Sequence, residues 1–234
     1  MSTIARRDRR RKSTRIGRAG QRSAPPARDG QTEQRILDAA HAVLMRRGTA
    51  GARMQDIAKA AGVNQALLHY YFRTKDRLAE AVFRRAAGQL FQQVVGVLAS
   101  DLSIEDKVRR IVDLEIAHLS RTPGLPGYII SELHHHPERV PLLIASLTGA
   151  APRDIRSIVV GTLRGQIAQA VQARTLRPIA AEQFIVNLLS LCVFPFAARP
   201  VLSVLLGLGS EEFATFTAER RDQLADFFLR ALRP

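Results

Sequence analysis

Four side chains between positions 65 and 70 have the types and the spacing that can read the edges of DNA bases. They are Gln65, Ala66, His69 and Tyr70. At 100° per residue, a helix places all four within an arc of about 140°, so they share one face. Glutamine pairs with adenine through two hydrogen bonds, histidine bonds a base edge or a phosphate, and alanine or a tyrosine ring contacts the methyl group of thymine. The stretch therefore predicts a helix that enters the major groove of DNA.

The residues around this face meet the steric requirements of two helices joined by a short turn. Ala58 offers the small side chain that is needed where the helices cross, and Gly62 supplies the positive φ of a tight turn. Val63 fills the angle between the helices, and Leu68 and Tyr71 point inward from the second one. The spacing predicts a helix-turn-helix whose second helix contacts DNA.

Polar residues mark the ends of these helices. Asn64 is expected to cap the second helix, and Thr74 is expected to cap a long helix whose apolar period continues to about Ser100. Arg53 and Lys75 flank the motif and are placed to bind phosphates. The candidate DNA-binding residues are Arg53, Asn64, Gln65, Ala66, His69, Tyr70 and Lys75.

The rest of the chain repeats the helical period without the alternation that is typical of strands, so an all-α fold is predicted. The first helix is expected to begin at Thr32 as its N-cap and to end at Gly48 as its C-cap. An N-terminal three-helix DNA-binding domain would then be followed by a larger helical domain, for which the family resemblance given below implies ligand binding and dimerisation. Its later helices are expected at 106–120, 128–135, 139–147, 154–174, 181–198 and 211–232.

The N-terminal residues 1–30 carry ten Lys or Arg against two Asp and supply +8 of the formal net charge of +14. They contain almost no large apolar side chains, so we expect them to be disordered. Three interpretations stay open: an arm in the minor groove, a nonspecific anchor on phosphates, or a solvated tail. The predicted domains are this tail, a DNA-binding domain at 31–78 and a regulatory and dimerisation domain at 79–234.

Two stretches, TEQRILDAAHAVLMRRG and MQDIAKAAGVNQALLHYYFRTKDRL, resemble the TetR/AcrR family of bacterial transcriptional regulators. The resemblance covers about 47 residues, from Thr32 to Leu78, and Tyr-Phe followed by Thr-Lys-x-x-Leu is its most specific part. It implies a fourth helix that leads into a divergent all-α regulatory domain, a homodimer and a small-molecule inducer. It also implies that Lys75 contacts phosphate. His69 and Arg53 depart from the family's usual tyrosine and its usual serine or threonine.

The apolar stretch from Phe184 to Ala198 is about 15 residues long, which is short of the roughly 20 that a membrane span needs. We interpret it as a buried helix, either at the centre of the core or at a dimer seam. The resemblance favours the seam, with Ala181 to Ala198 and the final helix packing against their symmetry mates. No membrane association is expected. The single cysteine, Cys192, fits the reducing cytoplasm, where we expect the protein.

A small-molecule effector of unknown identity is expected to bind among the C-terminal helices. An effector that prefers the conformer with misspaced recognition helices would shift the population off DNA. The candidate lining residues, each of which also suits an ordinary core position, are Leu90, Val94, Leu114, His118, Tyr128, Leu133 and Leu163.

Neither a metal nor a cofactor is expected, because the consecutive residues His134–His136 point about 100° apart and cannot converge on one ion. The sequence also contains no nucleophile elbow, phosphate-binding glycine loop or zinc signature, so an enzyme is not expected. The predicted function is a sequence-specific regulator of transcription, a ligand-released repressor that binds a palindromic operator as a homodimer. The alternative is a nonspecific basic nucleic-acid-associated protein that uses the helix-turn-helix structurally.

Overall fold

The computed structural model describes residues 27–234, which form an all-α structure without a β-strand. The predicted basic tail therefore lies outside the described residues as far as position 26, and its last four residues belong to the first helix. The helices are α1 (Ala27–Gly51), α2 (Met54–Ala61), α3 (Gln65–Tyr71), α4 (Lys75–Ala99), α5 (Ile104–Arg121), α6 (Leu125–His135), α7 (Val140–Thr148), α8 (Pro152–Gln172), α9 (Ala181–Ala197), α10 (Arg199–Leu206) and α11 (Ser210–Ala231), with a short 3-10 helix at Pro137–Arg139.

The first helix begins earlier than predicted, so the assignment of Thr32 as its N-cap is wrong. Asp29 lies in its first turn, where a negative charge is favoured by the helix dipole. The Asp29 carboxylate also accepts a hydrogen bond from the Tyr71 hydroxyl at 3.0 Å, which holds the added turn against α3. At the other end, Gly48 has a φ of 65°, and this confirms the predicted break.

The predicted helix-turn-helix is confirmed in α2 and α3. Gly62 has a φ of 64°, and the Val63 backbone N–H donates to the Ala58 carbonyl at 3.0 Å, which closes the turn. Asn64 and Thr74 cap α3 and α4 as predicted. Because α1 packs across both α2 and α4, the three N-terminal helices and the start of α4 form one unit.

The long helix α4 connects this unit to the other helices. Its 25 residues span about 37 Å at 1.5 Å per residue, and it contacts α5, α6, α7 and α8 in addition to α1. At the C-terminal end of α4, the buried Lys107 of α5 donates a 2.7 Å hydrogen bond to the Leu98 carbonyl. It donates a second hydrogen bond of 2.7 Å to the Gln166 side chain on α8. Burial lowers the pKa of Lys107. This side chain therefore joins the end of α4 to α5 and α8.

Helix α10 is missing from the sequence-based prediction, which interprets Arg199-Pro200 as the end of a helix. Proline cannot donate a backbone hydrogen bond, but the first turn of a helix does not require that bond, so Pro200 can begin α10. The axes of α9 and α10 meet at 71°. Within the described residues, no single helix is long and apolar enough to cross a bilayer, and α9 and α10 reach that length and composition only as a bent pair.

The two faces of α9 have different surroundings. Phe184, Leu188 and Cys192 are buried in the chain's own core, so this face fits the core interpretation. Val186 and Phe194 are exposed on the remaining surface of the helix. One apolar face of α9 is therefore buried by the chain's own core, whereas the other apolar face is left exposed to water in the single chain.

We expect Gly62→Ala to destabilise the fold by about 1–2 kcal/mol, because a Cβ is strained at positive φ. The added Cβ would also lie 3.3 Å from the Arg35 guanidinium. Urea unfolding followed by circular dichroism measures the change.

Gly165→Ala is the matched control for this substitution. Gly165 lies inside α8, where an added Cβ meets no atom within 4 Å, so alanine should stabilise the helix by roughly 0.5–1 kcal/mol. Equal effects of the two substitutions would contradict the left-handed turn at Gly62.

Candidate nucleic-acid interface and apolar cavity

The short helix α3 separates its side chains into a buried and an exposed set. Leu68 is fully buried and Leu67 is half-buried, whereas the four residues predicted to read bases are exposed. These four, Gln65, Ala66, His69 and Tyr70, form the recognition face. Tyr70 is 74% exposed. The helical phase assigned from sequence therefore matches the structure, and the recognition face lies open to a partner.

The first turn of α3 is fixed by its cap. The Asn64 side-chain oxygen accepts a hydrogen bond from the Leu67 backbone N–H at 2.7 Å. This bond occupies the oxygen of the amide and leaves its NH2 group as a donor. The last turn also has a local contact, because His69 Nδ1 lies 3.2 Å from the Arg73 carbonyl oxygen. In that bond Nδ1 is the donor, since a carbonyl oxygen can only accept.

The turn between α2 and α3 is held by a residue that the sequence motif does not indicate. The Arg35 guanidinium on α1 donates to the Ala61 carbonyl at 2.8 Å and to the Gly62 carbonyl at 3.4 Å. These carbonyls end α2, where no further helical N–H is available to them. Arg47 on α1 also pairs with Asp56 on α2 at 2.7 Å. Neither contact has a local sequence signal, because each partner pair belongs to two different helices.

Tyr71 anchors the far end of α3 to α1. Its hydroxyl donates to Asp29, and its ring packs edge to face with Tyr70 at 5.3 Å between centroids. Desolvation, followed by the hydrogen bond to Asp29, raises the pKa of the Tyr71 phenol. In the sequence, Asp29 is only one of the charged residues of the predicted tail. In the structure, Asp29 stabilises the position of α3.

The two predicted phosphate-binding residues lie on either side of α2 and α3. Arg53 is exposed just before α2 and makes no capping bond with its side chain. Lys75 is the first residue of α4 and is half-buried, with its ammonium 3.4 Å from the Ala52 carbonyl. A cation at a helix N-terminus is disfavoured by the helix dipole, so Lys75 gains nothing from that position. An anion nearby would compensate this cost.

An apolar cavity of about 550 Å³ lies between α4, α5, α6, α7, α8 and α9. Its volume falls in the range of sites for small organic molecules. Two of its lining residues carry charge, Glu115 on α5 and Arg156 on α8. The other lining residues include Leu90, Phe91, Val94, Ile129, Ile155, Val159, Ile185 and Leu189.

Of the seven residues predicted to line a ligand pocket, only Leu90 and Val94 line this cavity. On α5, Glu115 and Leu119 line this cavity, whereas the predicted Leu114 and His118 lie about 100° away around the helix. Leu114 and Leu133 are half-buried beside the core, and Leu163 is fully buried. The polar atoms of the remaining two are bonded to α4: His118 Nε2 lies 3.1 Å from the Ala86 carbonyl oxygen, and the Tyr128 hydroxyl donates to the Ala79 carbonyl at 3.3 Å.

Glu115 is the residue of this cavity that sequence reasoning missed. Its side chain is only 7% exposed, and burial raises its pKa to about 7. Within the described part of the chain, no side chain donates a hydrogen bond to it or forms an ion pair with it. The adjacent Cys192 thiol has its pKa raised to about 12, mainly by burial and also by the Glu115 charge. The sequence signal that could have identified Glu115 is a glutamate that interrupts the apolar helical period of α5.

The fold and the exposed recognition face define a helix-turn-helix protein. The model of the family described as "Bacterial regulatory proteins, tetR family" matches residues 36–82, which contain the whole motif. The chain is 33% identical over 155 residues to the transcriptional repressor SCO4008 of Streptomyces coelicolor, which covers 64% of this chain and 75% of that relative. It is 27% identical to the transcriptional repressor NicS of Pseudomonas putida over 213 residues, or 87% of this chain and 93% of NicS.

A solved structure of a TetR transcription regulator from Haloarcula marismortui has the same fold. It superposes with a TM-score of 0.54 at 19% identity and covers 87% of this chain and 98% of the other. The chain belongs to the TetR family of transcriptional regulators. The resemblance seen in the motif is confirmed.

Glu115→Gln should make the stability of the protein less dependent on pH. The folded state holds the Glu115 proton more tightly than the unfolded chain, whose ordinary value is 4.5. Its contribution to the free energy of unfolding is therefore fully present below about pH 4.5 and is lost as the pH rises through about 7. As the pH rises from about 4.5 to about 8.5, the free energy of unfolding of the variant should increase by about 3 kcal/mol relative to that of wild type.

Urea unfolding at the two pH values measures this difference. Glu33→Gln, which neutralises an exposed carboxylate on α1, is the control for loss of charge alone. A constant difference between Glu115→Gln and wild type over the range would contradict the burial of an ionisable Glu115.

Proposed function

We propose that this TetR-family regulator is a ligand-released repressor that binds a palindromic operator as a homodimer. The observation that carries the proposal is the exposed recognition face, held in place by contacts at both ends of α3. The names of SCO4008 and NicS as repressors support the sign of regulation.

In the proposed complex, α3 lies in the major groove. Gln65 and His69 make hydrogen bonds with base edges, and Ala66 and Tyr70 contact thymine methyl groups or the backbone. Arg53, Lys75 and the amide NH2 of Asn64 bind phosphates and so fix the orientation of α3. This assignment places base reading and phosphate binding on separate residues, within a DNA-binding domain of residues 31–78.

The homodimer is proposed to form through α9, α10 and α11 of the regulatory domain, residues 79–234. These helices carry a set of exposed apolar side chains that a single chain leaves in water: Val186, Phe194, Val201, Val204, Leu205, Leu206 and Phe227. A large exposed apolar surface marks an interaction site. A twofold dimer sets the separation of two recognition helices, which must reach successive major grooves about 34 Å apart.

Release from DNA is proposed to act through α4. This helix begins at Lys75 beside the DNA and lines the apolar cavity with Leu90 and Val94. A ligand that binds better when α4 is displaced shifts the population toward that conformer, by no more than its difference in affinity for the two states. The displacement changes the distance between the two recognition helices of the dimer.

Selection of genomic DNA fragments by the full chain at about 150 mM salt tests the DNA-binding part of the proposal. We expect a short palindrome to be recovered by wild type and lost by the double variant Gln65→Ala/His69→Ala. A lost base contact costs roughly 1–3 kcal/mol, so the affinity for the palindrome should fall at least tenfold.

The control is the double variant His134→Ala/Gln172→Ala, which removes the same residue types from exposed positions on α6 and α8. Recovery of unrelated fragments by wild type and both variants alike would favour the nonspecific nucleic-acid-associated protein instead.

Phe194→Glu and Phe227→Glu should each convert the dimer to a monomer in sedimentation experiments. The two rings are 61% and 62% exposed in the single chain, and the proposed interface buries them, so a charge there would have to be desolvated. Leu102→Glu, an exposed apolar position between α4 and α5, is the control and should remain dimeric. A dimer of unchanged affinity in both phenylalanine variants would place the interface elsewhere.

A further inference from the structure

We infer that the apolar cavity binds a lipophilic organic cation, whose apolar body fills the space beside α4 and whose positively charged group lies against Glu115. The inference rests on the proposed function in one respect, that this cavity is the site of the effector. It goes beyond that function because it states the chemical class of the ligand.

The position of Glu115 carries the inference. The residue is more than nine-tenths buried, lines the cavity, and has no hydrogen-bond donor or ion-pair partner among residues 27–234. A buried carboxylate without a partner is costly, and its ionised form gains most from a cation brought into the same space. The Glu115 carboxylate can therefore form an ion pair with a cation inside an otherwise apolar cavity.

The groups around Glu115 do not supply that charge. The lining residues of α4, α6 and α7 have no titratable side chain. Arg220 of α11 interacts with Cys192 but does not contribute to the pKa of Glu115. On α9, Cys192 stays neutral near pH 7, since its pKa is raised to about 12. His118 lies one turn away on α5 and faces the Ala86 carbonyl, with a pKa lowered mainly by desolvation. Arg156 lies at the rim with an exposed side chain and does not contribute to the pKa of Glu115.

The same geometry disfavours the other ligand classes of similar shape. An anionic amphiphile would bring its charge toward the Glu115 carboxylate and would bind only after Glu115 is protonated. A neutral amphiphile fills the apolar space but gains no ion pair. We therefore expect the three classes to bind in the order cation, neutral molecule, anion at a pH above 7.

Three decyl amphiphiles with different head groups test the inference: decyltrimethylammonium, decyldimethylphosphine oxide and decyl sulfate. Calorimetric titration of the full chain, at concentrations below micelle formation and at about pH 8, should show tightest binding of the ammonium compound. Glu115→Gln should weaken its binding at least tenfold and should leave binding of the neutral phosphine oxide within about twofold. Glu33→Gln is the control and should leave both affinities unchanged.

Wild type alone provides a second test that does not depend on a variant. Between about pH 6.5 and pH 8.5 Glu115 becomes ionised, so the affinity for decyltrimethylammonium should rise. The affinity for the phosphine oxide should not rise over the same range. Because decyltrimethylammonium carries a fixed charge, the change must come from the protein.

Equal affinities for the three head groups, or a preference for the cation that survives in Glu115→Gln, would overturn the inference. Neither titration contains DNA, so the result is independent of operator binding. If the DNA selection fails while the cation preference holds, the repressor proposal fails and the cavity assignment stands. If a palindrome is recovered but the head groups are not distinguished, the cavity assignment alone fails.

Discussion

The continuous burial of α4 is the constraint on which the rest of the structure depends. The helix is covered by α1 where it leaves the DNA-binding unit and by α5, α7 and α8 further along. Close-packed interfaces of this kind move between discrete arrangements rather than deforming gradually. In the proposed release from DNA, a change at the cavity wall would therefore move α4 as a rigid element. Lys107 adds to this by joining the end of α4 to α8, through one hydrogen bond to the Leu98 carbonyl and one to the Gln166 side chain.

Glu115 and the recognition face illustrate two different uses of polar residues. The recognition face costs the folded state little, because its side chains are exposed to water. Glu115 lies inside the protein, where burial disfavours its charge, and the inferred cation preference of the cavity follows from this cost. In the proposed function, specificity for DNA would thus lie on an exposed surface, whereas specificity for a small molecule would lie at a buried, poorly solvated carboxylate.

Local patterns in the sequence were sufficient to predict the helix-turn-helix. The small residue at Ala58, the turn at Gly62 and the caps at Asn64 and Thr74 act within a few residues of where they stand, so their spacing alone indicates them. The same locality explains the missed helix α10, since a proline that ends one helix can also begin the next. A local pattern marks the boundary of a helix but does not determine the structure of the next segment.

Contacts between distant segments could not be predicted in this way. Arg35 reaches the end of α2, and Asp29 reaches Tyr71, across 26 and 42 positions of the chain. The cavity depends on how α5 is rotated against its neighbours, so a helical period identified an apolar face but not the direction in which Glu115 points. The residues that support the site were therefore harder to predict than the residues at the site.

The small contribution of α3 to the core has a consequence for the evolution of this protein. Leu68 is the one residue of the helix that is fully enclosed, and all four members of the recognition face project away from it. Replacements on that face leave the buried contacts of Leu68 in place and alter only surface contacts, those of Tyr70 with Tyr71 and of His69 with Arg73, so selection for folding constrains them weakly. A duplicated copy of the gene could acquire a new operator in few steps while it kept its old cavity. Regulatory circuits built from such a chain can be rewired at the DNA end without altering the signal that they detect.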